Sequence, residues 1–119
     1  MGLVQSYKDL NVWQRAVSFS VAIYRETALF PKSEIYGLTN QLRRASVSIP
    51  SNIAEGHARS RKDYGRFLTI ALGLLAEVET QLEIARRINY LSQEQYNTLI
   101  DELTIIGKQL NNLYQKIRG

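Results

Sequence analysis

The sequence has no cysteine, one histidine and only two prolines among its 119 residues. Without cysteine there can be no disulfide, no thiolate nucleophile and no sulfur ligand for zinc, a composition that fits a cytoplasmic setting. A single histidine, His57, excludes a paired-histidine metal site. No apolar run approaches the roughly 18 residues a membrane span needs. The opening residues, Met1 to Ser6, have neither the basic region nor the apolar region of a secretion signal. We therefore expect a soluble cytoplasmic protein with no membrane association. Charge of one sign is also scarce: the formal excess is +4, which permits an acidic partner without requiring one.

What the chain does contain is helical periodicity. Its length allows one domain, 1–119, around a single core. Apolar residues at steps of three and four predict four helices over approximately 9–30, 33–56, 61–89 and 92–117. The first carries two seams, one through Leu10, Trp13, Val17, Ser20, Tyr24 and Thr27, the other through Val12, Ala16, Phe19, Ile23 and Phe30. It should stop at Phe30, because Pro31 disfavours helical backbone in the residue before it. Ser33 is the expected cap of the second helix, with Glu34 in its first turn. Ser60 with Asp63, and Ser92 with Gln95, have the spacing of caps for the third and fourth helices. The third helix has a regular seam from Tyr64 through Leu68, Ala71, Leu75, Val78 and Leu82 to Ala85. Its second seam is apolar at the ends and polar at Glu77 and Gln81. The fourth helix repeats the three-four pattern from Tyr96 to Ile117. Short connections make each helix antiparallel to the next, so the expected fold is all-α, an up-down-up-down four-helix bundle.

One stretch departs from this regularity. Pro50 falls inside the second helix, where it has no N–H for the Ser46 carbonyl and its ring crowds that carbonyl. A kink near Ile49 is expected. Ser46, Ser48, Ser51 and Asn52 surround it with side chains able to bond unpaired backbone groups, and Gly56 has the position of a left-handed helix cap. We expect Ser48, Asn52, Glu55, Glu77 and Gln81 to form a structural polar network between helices.

The same stretch carries a resemblance. "SIPSNIAEG", with "YKDLNVWQRA" near the start, "FPKSEIYGLTNQLRRA" before it and "FLTIALGLLAEVETQLEIA" after it, is similar to the four-helix-bundle proteins encoded in intervening sequences of bacterial 23S ribosomal RNA genes. The similarity runs over essentially the whole chain. Where family sequences usually have Gly-Ser, this one has Gly73-Leu74, so no role of that serine carries over. More distantly, the sequence resembles the accessory proteins of diversity-generating retroelements, which bind nucleic acid and a reverse transcriptase. The resemblance implies a homo-oligomer, a closed ring of five, and RNA as a partner.

Alternate helix ends share a pole in such a bundle. One pole should collect Lys8, Arg59, Arg61, Lys62, Arg66, Lys116 and Arg118 against Asp9, Glu55 and Asp63. Seven positive and three negative charges leave +4 there. The opposite pole, with Arg25, Lys32, Arg86 and Arg87 facing Glu26, Glu34, Glu83 and Glu94, balances. Those seven basic residues are the candidate nucleic-acid-binding set, since cations near helix starts can position a phosphate backbone. Catalysis is not expected. His57 lies about a turn and a half from Ser51 and the helix turns the two apart, the residue five before His57 is Asn52, and Glu79 projects away from Glu77. We expect no enzyme, no metal and no cofactor. The two readings left are an oligomeric RNA-binding protein and an oligomeric interaction scaffold without nucleic acid.

Overall fold

The computed structural model describes residues 6–118. Four helices account for most of it: α1 (Asn11–Thr27), α2 (Leu38–His57), α3 (Arg61–Arg87) and α4 (Gln93–Arg118), with single 3-10 turns at Tyr7–Asp9 and Lys32–Glu34. No strand occurs among the described residues. Each helix packs on the next and α4 returns to α1, which closes the antiparallel bundle. The α2–α3 seam is the most extensive and the α1–α4 seam the thinnest.

The core is built from the three-four seams. Val12, Ala16, Phe19 and Ile23 of α1 and Leu42, Ala45, Ile49 and Ile53 of α2 are buried, together with Leu68, Ala71, Val78 and Leu82 of α3 and Leu99, Leu103, Ile106 and Leu110 of α4. Of the two seams on α1, this core takes the one through Phe19. The other is only partly covered: Ser20 and Thr27 are buried, Trp13 and Val17 half-buried, and Tyr24 exposed.

The expected serine caps form at the starts of α3 and α4 and not at the start of α2. Ser60 accepts from the Asp63 N–H at 3.3 Å. Ser92 and Gln95 satisfy each other's backbone N–H groups reciprocally, at 3.0 and 2.7 Å, the two-way arrangement of a capping box. Ser33, by contrast, does not cap α2. That helix starts five residues later, at Leu38, whose N–H is taken by Glu34 Oε1 at 3.0 Å, while Tyr90 donates its hydroxyl to Glu34 Oε2 at 2.9 Å. The carboxylate serves the backbone with one oxygen and the tyrosine with the other. Both hydrogen bonds hold the Glu34 carboxyl below its ordinary range, the Leu38 N–H contributing most. At the other end of the sequence's first helix, α1 stops at Thr27 and the chain turns before Phe30, whose buried ring packs 5.2 Å from that of Tyr90. The left-handed residue that ends a helix is Asn89 after α3, at φ 66°.

Gly56 is not the left-handed cap expected of it. α2 continues to His57 and Ala58 has right-handed backbone. The glycine is buried on the α2–α3 seam, where a Cβ would stand 2.7 Å from Phe67 Cβ and 3.0 Å from Tyr64 Cδ1. Its small size, not its backbone freedom, is what the fold uses.

Pro50 does not interrupt α2, which is helical from Leu38 to His57. The Ser46 carbonyl that Pro50 cannot serve is supplied from α1: the Ser20 hydroxyl lies 2.8 Å from it, nearer than to the Ala16 carbonyl of its own helix at 3.1 Å. Both serines are buried. The remaining polar side chains around the proline turn inward on their own helix, Ser48 to the Arg44 carbonyl at 2.9 Å, Ser51 to Val47 at 2.9 Å and Asn52 to Ser48 at 2.7 Å.

Candidate nucleic-acid interface

The start of α3 and the end of α4 meet at one pole, and a groove of about 420 Å³ runs between them. Arg61, Lys62, Gly65, Arg66 and Thr69 line it from α3, with Tyr114, Ile117 and Arg118 on the facing side of α4. No carboxylate is among these lining residues. Arg61 is fixed by donating to the Ile117 carbonyl at 3.2 Å, where a cation also complements the negative end of the α4 dipole. Arg66 is 3.8 Å from Asp63 and remains largely exposed. The Arg118 guanidinium stands 5.8 Å from the Tyr114 ring centre.

Four of the seven predicted basic residues, Arg61, Lys62, Arg66 and Arg118, therefore share this groove. The other three lie around it. Arg59, in the connection, pairs with Glu55 at 2.9 Å and sits 5.3 Å from the centre of the Phe67 ring. Lys116 is on the opposite side of α4, beside Leu10 and Asn11, and Lys8 is exposed on the first 3-10 turn. Tyr114, Thr69 and Gly65 were absent from the sequence prediction. Tyr114 stands one helical turn before Arg118 and off the Leu110–Leu113–Ile117 seam, a spacing that marks it as a groove residue once α4 is known to end there.

The expected inter-helix polar network does not form. Ser48 and Asn52 bond within α2, and Glu55 is exposed on its ion pair with Arg59. Glu77 is exposed and accepts from Gln81 Nε2 at 3.3 Å on the same helix. Gln81 alone is buried, and its Oε1 has no partner. Short polar side chains in a helix can reach the carbonyl one turn back, so Ser48 and Asn52 find their partners without a neighbouring helix.

The opposite pole is neutral and braced. Glu83 accepts from Arg87 Nε at 2.7 Å and also from Arg86. Those bonds, the Arg87 one foremost, followed by the Tyr96 hydroxyl and then Arg86, lower its pKa from 4.5 to about 2. A carboxylate whose folded pKa is depressed adds stability that is complete above its unfolded value and lost as pH falls through the folded one. We expect acid denaturation profiles of the protein and of Glu83→Gln to differ at neutral pH and to converge as pH falls from about 4.5 toward 2, read by circular dichroism; parallel profiles would show that the ion pairs do not stabilise the fold.

Among the described residues, neither pole brings a nucleophile and a base together. The His57 ring packs edge-on to Tyr64 at 5.7 Å, and the Ser51 hydroxyl is committed to the Val47 carbonyl. Among the described residues no group of three His, Asp or Glu side chains could hold a metal ion. No described helix is long and apolar enough to cross a membrane.

Fold and surface together define a small antiparallel four-helix-bundle protein with one basic pole. Residues 8–112 match the model of the 23S rRNA-intervening sequence protein family, and the chain belongs to that family. A crystal structure at 1.70 Å of a protein of unknown function from the S23 ribosomal protein family of Bacteroides thetaiotaomicron is 31% identical, superposes with a TM-score of 0.80, and the alignment covers 87% of this chain and 95% of that one. No functionally curated protein matches the sequence.

Proposed function

We propose that the protein is a non-enzymatic oligomer that binds RNA through its basic pole. The observation that carries the reading is the grouping of Arg61, Lys62, Arg66 and Arg118 around one groove with no carboxylate in its lining. A formal excess of +4 per subunit is small. In a ring of five with like poles on one rim, it would become a continuous positive surface, and several modest phosphate contacts acting together gain affinity through effective concentration. A head-to-tail ring closes without leaving an edge.

A second reading, an oligomeric scaffold without nucleic acid, has its own support. The partly covered seam of α1 and the outer face of α2 form an apolar groove of about 520 Å³, lined by Trp13, Val17, Val21, Tyr24, Val47 and Pro50 among others. Aromatic residues in such a surface are favoured anchors for a protein partner.

Titrating RNA against the pure protein over a salt series separates the two. We expect binding that weakens with salt. The triple change of Arg59, Arg61 and Lys62 to Ala should reduce the slope of log K against log salt by about 2 for each subunit that a single strand contacts. A thermal melt controls for the loss of the Arg61–Ile117 bond. Light scattering on the same samples should give a mass several times the 13.6 kDa of one chain. A monomer removes the ring, and RNA binding untouched by the triple change removes the basic pole.

A further inference from the structure

We propose that the groove between α3 and α4 seats one unpaired nucleotide of a single strand, with its base on the Tyr114 ring and its flanking phosphates on Lys62 and Arg66. The inference rests on the RNA-binding reading above and narrows it to a class of nucleic acid.

Size is the first argument. A groove of about 420 Å³ lies toward the small end of the range for sites that hold one small ligand. It could admit a nucleotide and not the width of a duplex. The second argument is the platform. Tyr114 is half-buried and its Cε1 lies 3.7 Å from where a Cβ would stand on Gly65, so the ring edge lies beside α3 where that helix has no side chain. Its face is already used by a planar cation, the Arg118 guanidinium 5.8 Å away. A base could take that place, and every base has a π-face suited to it. Charge is the third. Lys62 and Arg66 reach into the groove from the first turns of α3, and Arg118, displaced from the ring, would be left beside the strand. A duplex keeps its base faces stacked inside and offers phosphates, sugars and base edges. It could meet the two cations but not the ring.

The other grooves lack this combination. Between α1 and α4, Arg15 is neutralised by Glu102 at 2.9 Å, and the groove between α1 and α2 has no charged lining residue.

The test uses the full chain, a fluorescein-labelled unstructured oligouridine and an RNA duplex of the same length, with anisotropy read at one fixed salt concentration. Tyr114→Leu keeps apolar bulk and removes the π-face. We expect it to weaken oligouridine binding about thirtyfold, the middle of the range for losing one stacked base, and to leave duplex binding within about twofold. Tyr114→Phe should bind oligouridine like the parent protein, which ties the loss to the ring face, while the retained duplex binding of Tyr114→Leu shows that this variant is folded. Equal losses on both RNAs, no loss on either, or a loss in Tyr114→Phe as large as in Tyr114→Leu would overturn the nucleotide seat while leaving the basic pole standing. Absence of binding to both RNAs by the parent protein would overturn the pole and the seat together.

Discussion

Gly56→Ala should destabilise the protein by about 2 kcal/mol, against the usual direction for glycine inside a helix. Alanine normally gains about 1 kcal/mol there, by restricting the unfolded chain and by its higher helix propensity. At Gly56 the new methyl would stand 2.7 Å from Phe67 Cβ and 3.0 Å from the Tyr64 ring. The first of these is bonded directly to the α3 backbone, so no rotamer change can move it aside. The helices must separate on the most extensive seam of the bundle. Overpacking of this kind costs about 1–3 kcal/mol, and we place it at the upper end because it displaces backbone. Gly73 supplies the control within the same protein: it is helical, exposed, and a Cβ there meets nothing within 4 Å. Gly73→Ala should therefore stabilise by about 0.5–1 kcal/mol. Urea melts at constant m give both signs. If the two alanines shift the midpoint the same way, close helix approach is not what Gly56 provides.

Ser20→Ala should cost about 1–3 kcal/mol, and the cost should disappear when Pro50 is also changed to Ala. The reason is a single carbonyl. Ser46 is fully buried, and its C=O faces residue 50, which as proline has no N–H to give it. The Ser20 hydroxyl, 2.8 Å away on α1, is the donor that replaces the missing bond. Removing it orphans a buried acceptor, with the desolvation penalty that follows. In a Pro50→Ala background the new N–H can reach the carbonyl from within α2, and the hydroxyl becomes redundant. The double-mutant cycle should show a coupling of about 1 kcal/mol or more, well above the few tenths expected of independent sites. Additive effects would mean that the serine packs without serving the carbonyl. A structure of Pro50→Ala also settles the bend expected near Ile49, which should relax at that turn if the proline causes it.

The pairing of Ser20 with Pro50 could not have been read in advance, and the reason separates what was legible in the chain from what was not. The seams of α3 and α4 were plain because periodicity over 26 or 27 residues has one structural solution. The caps at Ser60 and Ser92 were plain because cap and partner lie three residues apart. Errors arose where the deciding contact is distant in sequence or where two physical uses of a residue look alike. Ser33 and Glu34 are adjacent candidates for starting α2, and the choice between them depends on Tyr90, 56 residues away. A glycine needed for left-handed backbone and one needed for close approach have the same letter, and Gly56 is the second kind. Ser48 and Asn52 bond carbonyls one turn back, an option that always competes with an inter-helix network. At the basic pole, the charges were legible from topology alone, since helix ends must coincide there. The groove and its tyrosine were not, because a groove depends on how far two helices stand apart.

The thin α1–α4 seam has a consequence for how the chain acquires its structure. Joining first helix to last closes the longest loop in the molecule: the Arg15–Glu102 pair across it spans 87 residues. Loop-closure entropy is greatest for that contact, and the seam it closes is the thinnest of the four. The α2–α3 hairpin has the opposite balance, adjacent in sequence and richest in contact. Assembly is thus favoured from the middle of the chain outward, with the α1–α4 seam closing last and, by the same reasoning, being the part of the bundle held least firmly once it is made.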